Sequence, residues 1–120
     1  TLLLVEDEPE VRSVARLILE RQGYRVLVAP SGSLARTVWR EHRDEIDLLL
    51  SDVVMPDGVS GWDLAAEVQQ DKPGVRVILA SGYSAESVAA DFLQPAGYRF
   101  LQKPFDPETL LAAVRACLDG

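Results

Sequence analysis

Short apolar runs alternate along the chain with longer segments in which apolar residues recur every three or four positions. The runs are Leu2–Val5, Arg25–Val28, Asp47–Leu50, Val75–Leu79 and Tyr98–Leu101, each of strand length. The first, third and fourth are nearly all apolar, as expected of strands covered on both faces.

The segments between the runs predict helices. Pro9 suits a first helical turn; Val11, Val14, Ala15 and Ile18 follow at i, i+3, i+4 and i+7, and Gly23 closes the segment. Ser31 or Ser33 is placed to cap a second helix carrying Leu34, Ala35, Val38 and Trp39. Gly61 opens a third with Leu64, Ala65 and Val68 facing inward, and Pro73-Gly74 ends it. Ser84 caps a shorter fourth through Val88, Ala89 and Phe92. Asp106-Pro107-Glu108 combines a cap, a proline at the first helical position and an acid at the positive dipole end. Leu110, Leu111, Val114 and Leu118 form the buried stripe of this last helix.

Five strand–helix repeats with right-handed crossovers make an α/β architecture with helices on both sides of a parallel sheet. For five strands the flavodoxin-like, doubly wound order 2-1-3-4-5 is favoured, and ligands then sit at the carboxyl ends of the strands. The 120 residues predict one domain, 1–120, and 48% hydrophobic content is enough to fill its core. No apolar run approaches the roughly 20 residues that span a bilayer, so no membrane contact is expected. Leu2–Val5 has no basic flank and does not read as a secretory signal. A net charge of −7 without a basic cluster argues against direct nucleic-acid contact. The single cysteine, Cys117, forms no internal disulfide, which is compatible with a cytoplasmic location.

Chemistry gathers at the strand ends. Glu6, Asp7 and Glu8 follow the first strand, Asp52 the third, Ser81 and Gly82 the fourth, and Lys103 and Pro104 the fifth. In the 2-1-3-4-5 order these four ends are consecutive neighbours around one crevice. Carboxylates about 4 Å apart repel by roughly 4 kcal/mol per pair at an effective dielectric near 20. A hard divalent cation offsets this, and Mg²⁺ characteristically takes one or two carboxylates, waters and a phosphate. Lys103, the lone cation expected in the crevice, neutralises one charge and suits a phosphoryl oxygen; the Ser81 hydroxyl suits another. The set reads as a Mg²⁺-assisted phosphoryl-transfer site with Asp52 as the carboxylate nucleophile. Taken singly, each residue has a plainer role: Glu8 before Pro9 caps a helix, Asp52 or Ser81-Gly82 makes a turn, and Lys103 is a solvated lysine. His42 reads as part of a solvated helix end, Cys117 as a small core residue, and Trp39 and Trp62 as packing anchors.

The pieces VEDEP (Val5–Pro9), LLLSDVVMP (Leu48–Pro56), ILASGYS (Ile78–Ser84) and FLQKPF (Phe100–Phe105), in this order and spacing, closely resemble the receiver domain of two-component response regulators. The resemblance covers essentially the whole chain. It implies that Asp7 holds Mg²⁺ directly, with Glu6 acting partly through water. Asp52 would accept a phosphoryl group from a histidine kinase or a histidine phosphotransfer protein. Val54 would lend its backbone carbonyl to the metal, and Ser81 and Lys103 would contact the phosphoryl group. It further implies a cis peptide at Lys103-Pro104, a switch role for Phe100 together with Ser81, and a readout or dimer face on the fourth helix, fifth strand and fifth helix. The loop Met55–Gly61 is one residue longer than the commonest form and, with SGYS and FLQKPF, resembles receivers fused to sensor histidine kinases. Val54 and Tyr83 occupy positions that tune dephosphorylation in such domains; an apolar and a bulky side chain there predict a long-lived phosphoryl group.

Three other functions compete. A Mg²⁺-dependent phosphohydrolase with an aspartate nucleophile needs a general acid two residues after Asp52, where this chain has Val54. A flavin or dinucleotide module needs a small-residue or G-x-G-x-x-G phosphate loop after the first strand, where this chain has Glu6-Asp7-Glu8-Pro9. A receiver that works without phosphorylation would not be expected to carry Glu6, Asp7, Asp52, Ser81 and Lys103 together. The favoured expectation is a phosphorelay receiver acting as a conformational switch more than a turnover enzyme, with no output domain in these residues.

Overall fold

The computed structural model describes residues 1–54, 58–81, 98–103 and 105–119. Their elements in chain order are β1 (Leu2–Val5), α1 (Pro9–Arg21), β2 (Val26–Ala29), α2 (Gly32–His42), β3 (Leu48–Asp52), α3 (Gly61–Asp71), β4 (Arg76–Ser81), β5 (Tyr98–Gln102) and α4 (Pro107–Asp119). All strands are parallel, in the order β2-β1-β3-β4-β5. This is the flavodoxin-like order expected from the alternation. The helix expected from Ser84 lies outside the described residues.

The sheet separates two apolar layers because successive side chains of a strand point to opposite faces. On one face Leu3, Val5, Leu49, Val77 and Leu79 meet Ala35 and Trp39 of α2 and Leu64, Ala65 and Val68 of α3. On the other, Leu2, Leu4, Leu48, Leu50, Ile78 and Leu101 meet Ala15 and Leu19 of α1 and Leu110, Val114 and Cys117 of α4. Every residue of β1 and β3 is buried, the apolar runs Leu2–Val5 and Leu48–Leu50 as expected and Ser51 and Asp52 with them. Cys117 is a core residue.

Among the described residues, two apolar positions of the expected stripes are more than half exposed. Val14 is 58% exposed and Leu34 51% exposed. Small residues, Ala15 in α1 and Gly32 and Ala35 in α2, lie on the buried lines and let the helix backbones approach the sheet. The lines then run Ala15–Leu19 and Gly32–Ala35–Trp39, leaving Val14 and Leu34 on the flanks. Strand ends also run further than the apolar runs suggest: β3 continues to Asp52, paired with Ala80, and β4 to Ser81, paired with Gln102.

Local signals set the helix ends. Gly23 adopts φ 95°, the left-handed conformation that closes α1 at low steric cost. Ser31, not Ser33, caps α2 by accepting the Leu34 N–H. Asp106 accepts the Thr109 N–H at 2.7 Å. Glu8 stands at the N-cap position of α1, but its side chain makes no capping hydrogen bond, contrary to expectation. Pro9, at the first helical position, has no N–H and so leaves the first turn one fewer open donor. At α3 the cap is Ser60, whose hydroxyl accepts the Asp63 N–H at 3.1 Å while the Asp63 carboxylate accepts the Ser60 N–H at 3.3 Å. This reciprocal box satisfies two of the donors a helix start leaves open. Replacing Ser60 with Ala is expected to cost about 1 kcal/mol of stability. A urea melt of S60A checks this through a lower midpoint at unchanged slope.

Candidate functional site

The pleat selects which strand-end residues meet. Leu4 pairs with Leu50 and Val5 with Ser51, so the next residues, Glu6 and Asp52, lie side by side. Both continue the face of Leu2, Leu4, Leu48 and Leu50, beneath α1 and α4. Lys103 lies two residues beyond Leu101 and so continues that same face on β5. Register alone therefore directs two acids and one base into a single crevice.

The side chains close on one another there. Lys103 Nζ donates to Glu6 Oε1 at 2.6 Å and to Asp52 Oδ1 at 2.8 Å. Glu6 is 3% and Asp52 6% exposed. Lys103 thus spans both buried acids, although its one charge can neutralise only one of them. Asp7, though exposed, completes the group: Glu6, Asp7 and Asp52 each present an oxygen within 4.8 Å of the other two. The floor of the crevice is apolar, formed by Leu4, Val11, Ala15, Leu50 and Phe105.

These surroundings perturb the two acids in opposite directions. Burial pushes the Asp52 carboxyl up to about 8, reinforced by the adjoining Glu6 and only partly opposed by Lys103. For Glu6, burial acts upward as well, but the Asp52 carboxyl, Lys103 and the Glu8 N–H together hold it below its ordinary value. Burial and the adjoining Glu6 thus favour the protonated form of Asp52, while the Asp52 carboxyl and Lys103 favour the charged form of Glu6. For Lys103, burial acts downward, but its two acid partners raise its affinity for the proton.

Backbone contacts fix Asp52 from behind. The Ser51 hydroxyl, fully buried, donates to the Asp52 carbonyl at 2.9 Å. The Val53 N–H donates to the Ala80 carbonyl at 3.0 Å, and the Gly61 N–H to the Val53 carbonyl at 2.7 Å. A Cβ on Gly61 would collide with the Asp52 carbonyl oxygen, so only glycine lets α3 begin this close to β3. Gly61 was legible as a helix opening, but its contact with Asp52 depends on the non-local turn and has no local signal. Arg12 was also missed: from α1 its Nη1 donates to the Glu6 carbonyl at 2.8 Å, which makes it a second cation at the rim.

The remaining candidates divide. Val54, two residues after Asp52, is 62% exposed. Ser81 ends β4, beside Gln102 and one residue from Ala80, the register partner of Asp52. Phe100 is half-buried against the α2–α3 layer, its ring centroid 5.4 Å from that of Trp62 at an interplanar angle of 47°. Gly82, Tyr83 and Pro104 lie outside the described residues, and with Pro104 the expected cis peptide. His42 is remote from this group: its Nδ1 lies 2.8 Å from Glu45, at the end of α2. Trp39 is a packing residue whose indole N–H donates to Asp71 at 2.9 Å.

The raised Asp52 carboxyl has a stability consequence. Between the unfolded value near 3.8 and the folded value near 8 the folded protein binds the extra proton, so this group's contribution to stability falls as pH rises through that window. Asn keeps the shape and cannot ionise. In metal-free solution at pH 8, D52N is expected to melt higher than wild type by about 4 °C or more, the gap closing toward pH 5. Calorimetric scans of both proteins at the two pH values check this.

Comparison with known proteins agrees with this architecture. Residues 2–115 match the family model for the response regulator receiver domain. Sensor kinase CckA of Brucella abortus (strain 2308) is 37% identical over 119 residues, 99% of this chain and 12% of that protein. Transcriptional regulatory protein GlrR of Escherichia coli (strain K12) is 35% identical over 118 residues, 98% of this chain and 26% of that protein. The chain thus spans between 12% and 26% of the length of these relatives. The crystal structure of the receiver domain from hybrid histidine kinase CckA superposes with a TM-score of 0.83 at 38% identity, covering 98% of this chain and 97% of that one. The chain belongs to the response regulator receiver domains of two-component systems.

Proposed function

We propose that Asp52 is the phosphoryl acceptor of this receiver, with Glu6, Asp7 and Asp52 holding Mg²⁺ and the Val54 backbone carbonyl adding a further oxygen. The observation that carries the reading is the convergence of three carboxylate oxygens within 4.8 Å beside Lys103. An all-oxygen donor set of this charge fits a hard cation that keeps several waters. When bound, Mg²⁺ neutralises the acids and the charge developing on the transferred phosphoryl oxygens.

The protein's residues supply the rest. Asp52 presents an ionised carboxylate oxygen to phosphorus, the P–N bond to the donor imidazole breaks, and an acyl phosphate forms on Asp52. Ionisation works against the burial that raises the proton affinity of Asp52. Lys103 moves its contact from the Asp52 carboxylate to a phosphoryl oxygen, and the Ser81 hydroxyl takes another. Contacts made only in the phosphorylated state shift a conformational equilibrium, which makes the domain a switch. Phe100 follows Ser81 inward. A readout or dimer surface including β5 and α4 rests on family analogy.

The donor is a histidine kinase or a histidine phosphotransfer protein, and the setting is cytoplasmic. Among the described residues no helix is long and apolar enough to cross a membrane. Likeness to the CckA receiver favours an origin in a hybrid kinase. The exposed Val54 side chain offers no acid for turnover, which favours a retained phosphoryl group over general phosphohydrolase activity.

Incubation with a small phosphoramidate or acyl-phosphate donor tests the acceptor. Intact-mass spectrometry is expected to show one added phosphoryl group on wild type with Mg²⁺, and none with chelator or with D52N. Equal labelling of D52N removes Asp52 from the role.

A further inference from the structure

We propose that Arg12 is a positioning residue for the metal site, acting through the Glu6–Asp7 peptide. The inference rests on the reading of Asp7 as a metal ligand.

The turn that carries Glu6 and Asp7 leaves the sheet abruptly. The Glu6 N–H still completes the strand pattern by donating to the Ala29 carbonyl at 3.1 Å. Beyond that point Glu6 follows the end of β1, yet the residue is almost fully buried. A carbonyl in such a place needs a donor, and the Arg12 guanidinium supplies it at 2.8 Å. The contact is built by α1 itself. The Arg12 N–H donates to the Glu8 carbonyl at 2.9 Å, closing the first turn. Helical side chains lean toward the N-terminus, so a long side chain at this position reaches back over the turn it closes.

The choice of residue is informative. A cation near a helix N-terminus opposes the helix dipole. A neutral residue there would suit α1 better. Arginine makes sense as a tether for what precedes the helix.

The tether bears on Asp7 more than on Glu6. The Glu6 carboxylate is held independently by Lys103 at 2.6 Å and by the Glu8 N–H at 3.3 Å. The Asp7 carboxylate is exposed and, among the described residues, forms no hydrogen bond or ion pair, yet lies within reach of both other acids. Its short side chain leaves the backbone to set its direction. The peptide between Glu6 and Asp7 is planar, so fixing the Glu6 carbonyl also fixes the plane from which Asp7 departs. Arg12 thereby pre-organises an exposed ligand from a side chain that itself touches no metal.

Coulomb attraction alone predicts the opposite effect, which makes the idea testable. Removing a positive charge beside a cation site should strengthen metal binding; removing a tether should weaken it by about tenfold or more, as loss of outer-sphere partners does. The experiment is a titration of the metal-free protein with MgCl₂, followed by amide chemical shifts, for wild type, R12M and R12K. The expected result is Mg²⁺ binding weakened about tenfold in R12M and by less than about threefold in R12K, which keeps a donor within reach. R12Q, which is neutral and too short to reach, gives the same reading as R12M if the methionine variant loses its fold. An affinity in the neutral variant equal to or above wild type overturns the proposal, as does an R12K as weak as R12M. Failure of wild type to bind Mg²⁺ overturns the metal reading as well. Binding by wild type, lost in D7N but unchanged in R12M, overturns only the role of Arg12.

Discussion

Two buried carboxyls side by side, with a single lysine between them, are the constraint around which this molecule is organised. Glu6 and Asp52 sit on an apolar floor where ionising both would be costly. Lys103 bridges the two, and burial with the adjoining Glu6 raises the proton affinity of Asp52. Each element of the fold contributes to holding them there: the parallel register of β1 and β3, the length of β5 that delivers Lys103, and the glycine that lets α3 close behind Asp52.

That arrangement is poised for exchange. In the proposed function a divalent cation held by Glu6, Asp7 and Asp52 would offset the acids' charge, with Asp52 ionised and Lys103 free to turn to a phosphoryl oxygen. In the proposed function the resting contacts are therefore competitors of the working ones, and the same side chains serve both states. The exposed Val54 beside the site gives water no acid or base to work with. That is consistent with a site that keeps its phosphoryl group as a signal.

Much of this was legible in the sequence because it depends on alternation. Unbroken apolar runs at Leu2–Val5 and Leu48–Leu50 mark strands buried on both faces, and the first acids after them must lie at the same sheet edge. What was not legible depends on distances between segments. Lys103 is as compatible with one acid as with two until β5 is in register with β4. Val14 and Leu34 fit their helical stripes, yet small neighbours let the helices settle with those side chains outward. Glu8 has the right position for a cap but no capping bond, whereas Ser60 makes a reciprocal one. Arg12 has no local signal that marks it, and its part depends on its reach to the Glu6 carbonyl. The roles of Ser81 and Phe100 stay within family resemblance, since position in the strands does not by itself define a switch.

The most direct test is the number of protons released when Mg²⁺ binds, obtained by titration calorimetry in buffers of different ionisation enthalpy. Metal binding expels protons from groups that must ionise to serve as ligands. With the Asp52 carboxyl near 8, close to one proton should leave per Mg²⁺ at pH 7, falling toward none above pH 9 and absent in D52N. Mg²⁺ binding at pH 7 with no proton released would contradict the account, because Asp52 would then already be ionised beside Glu6.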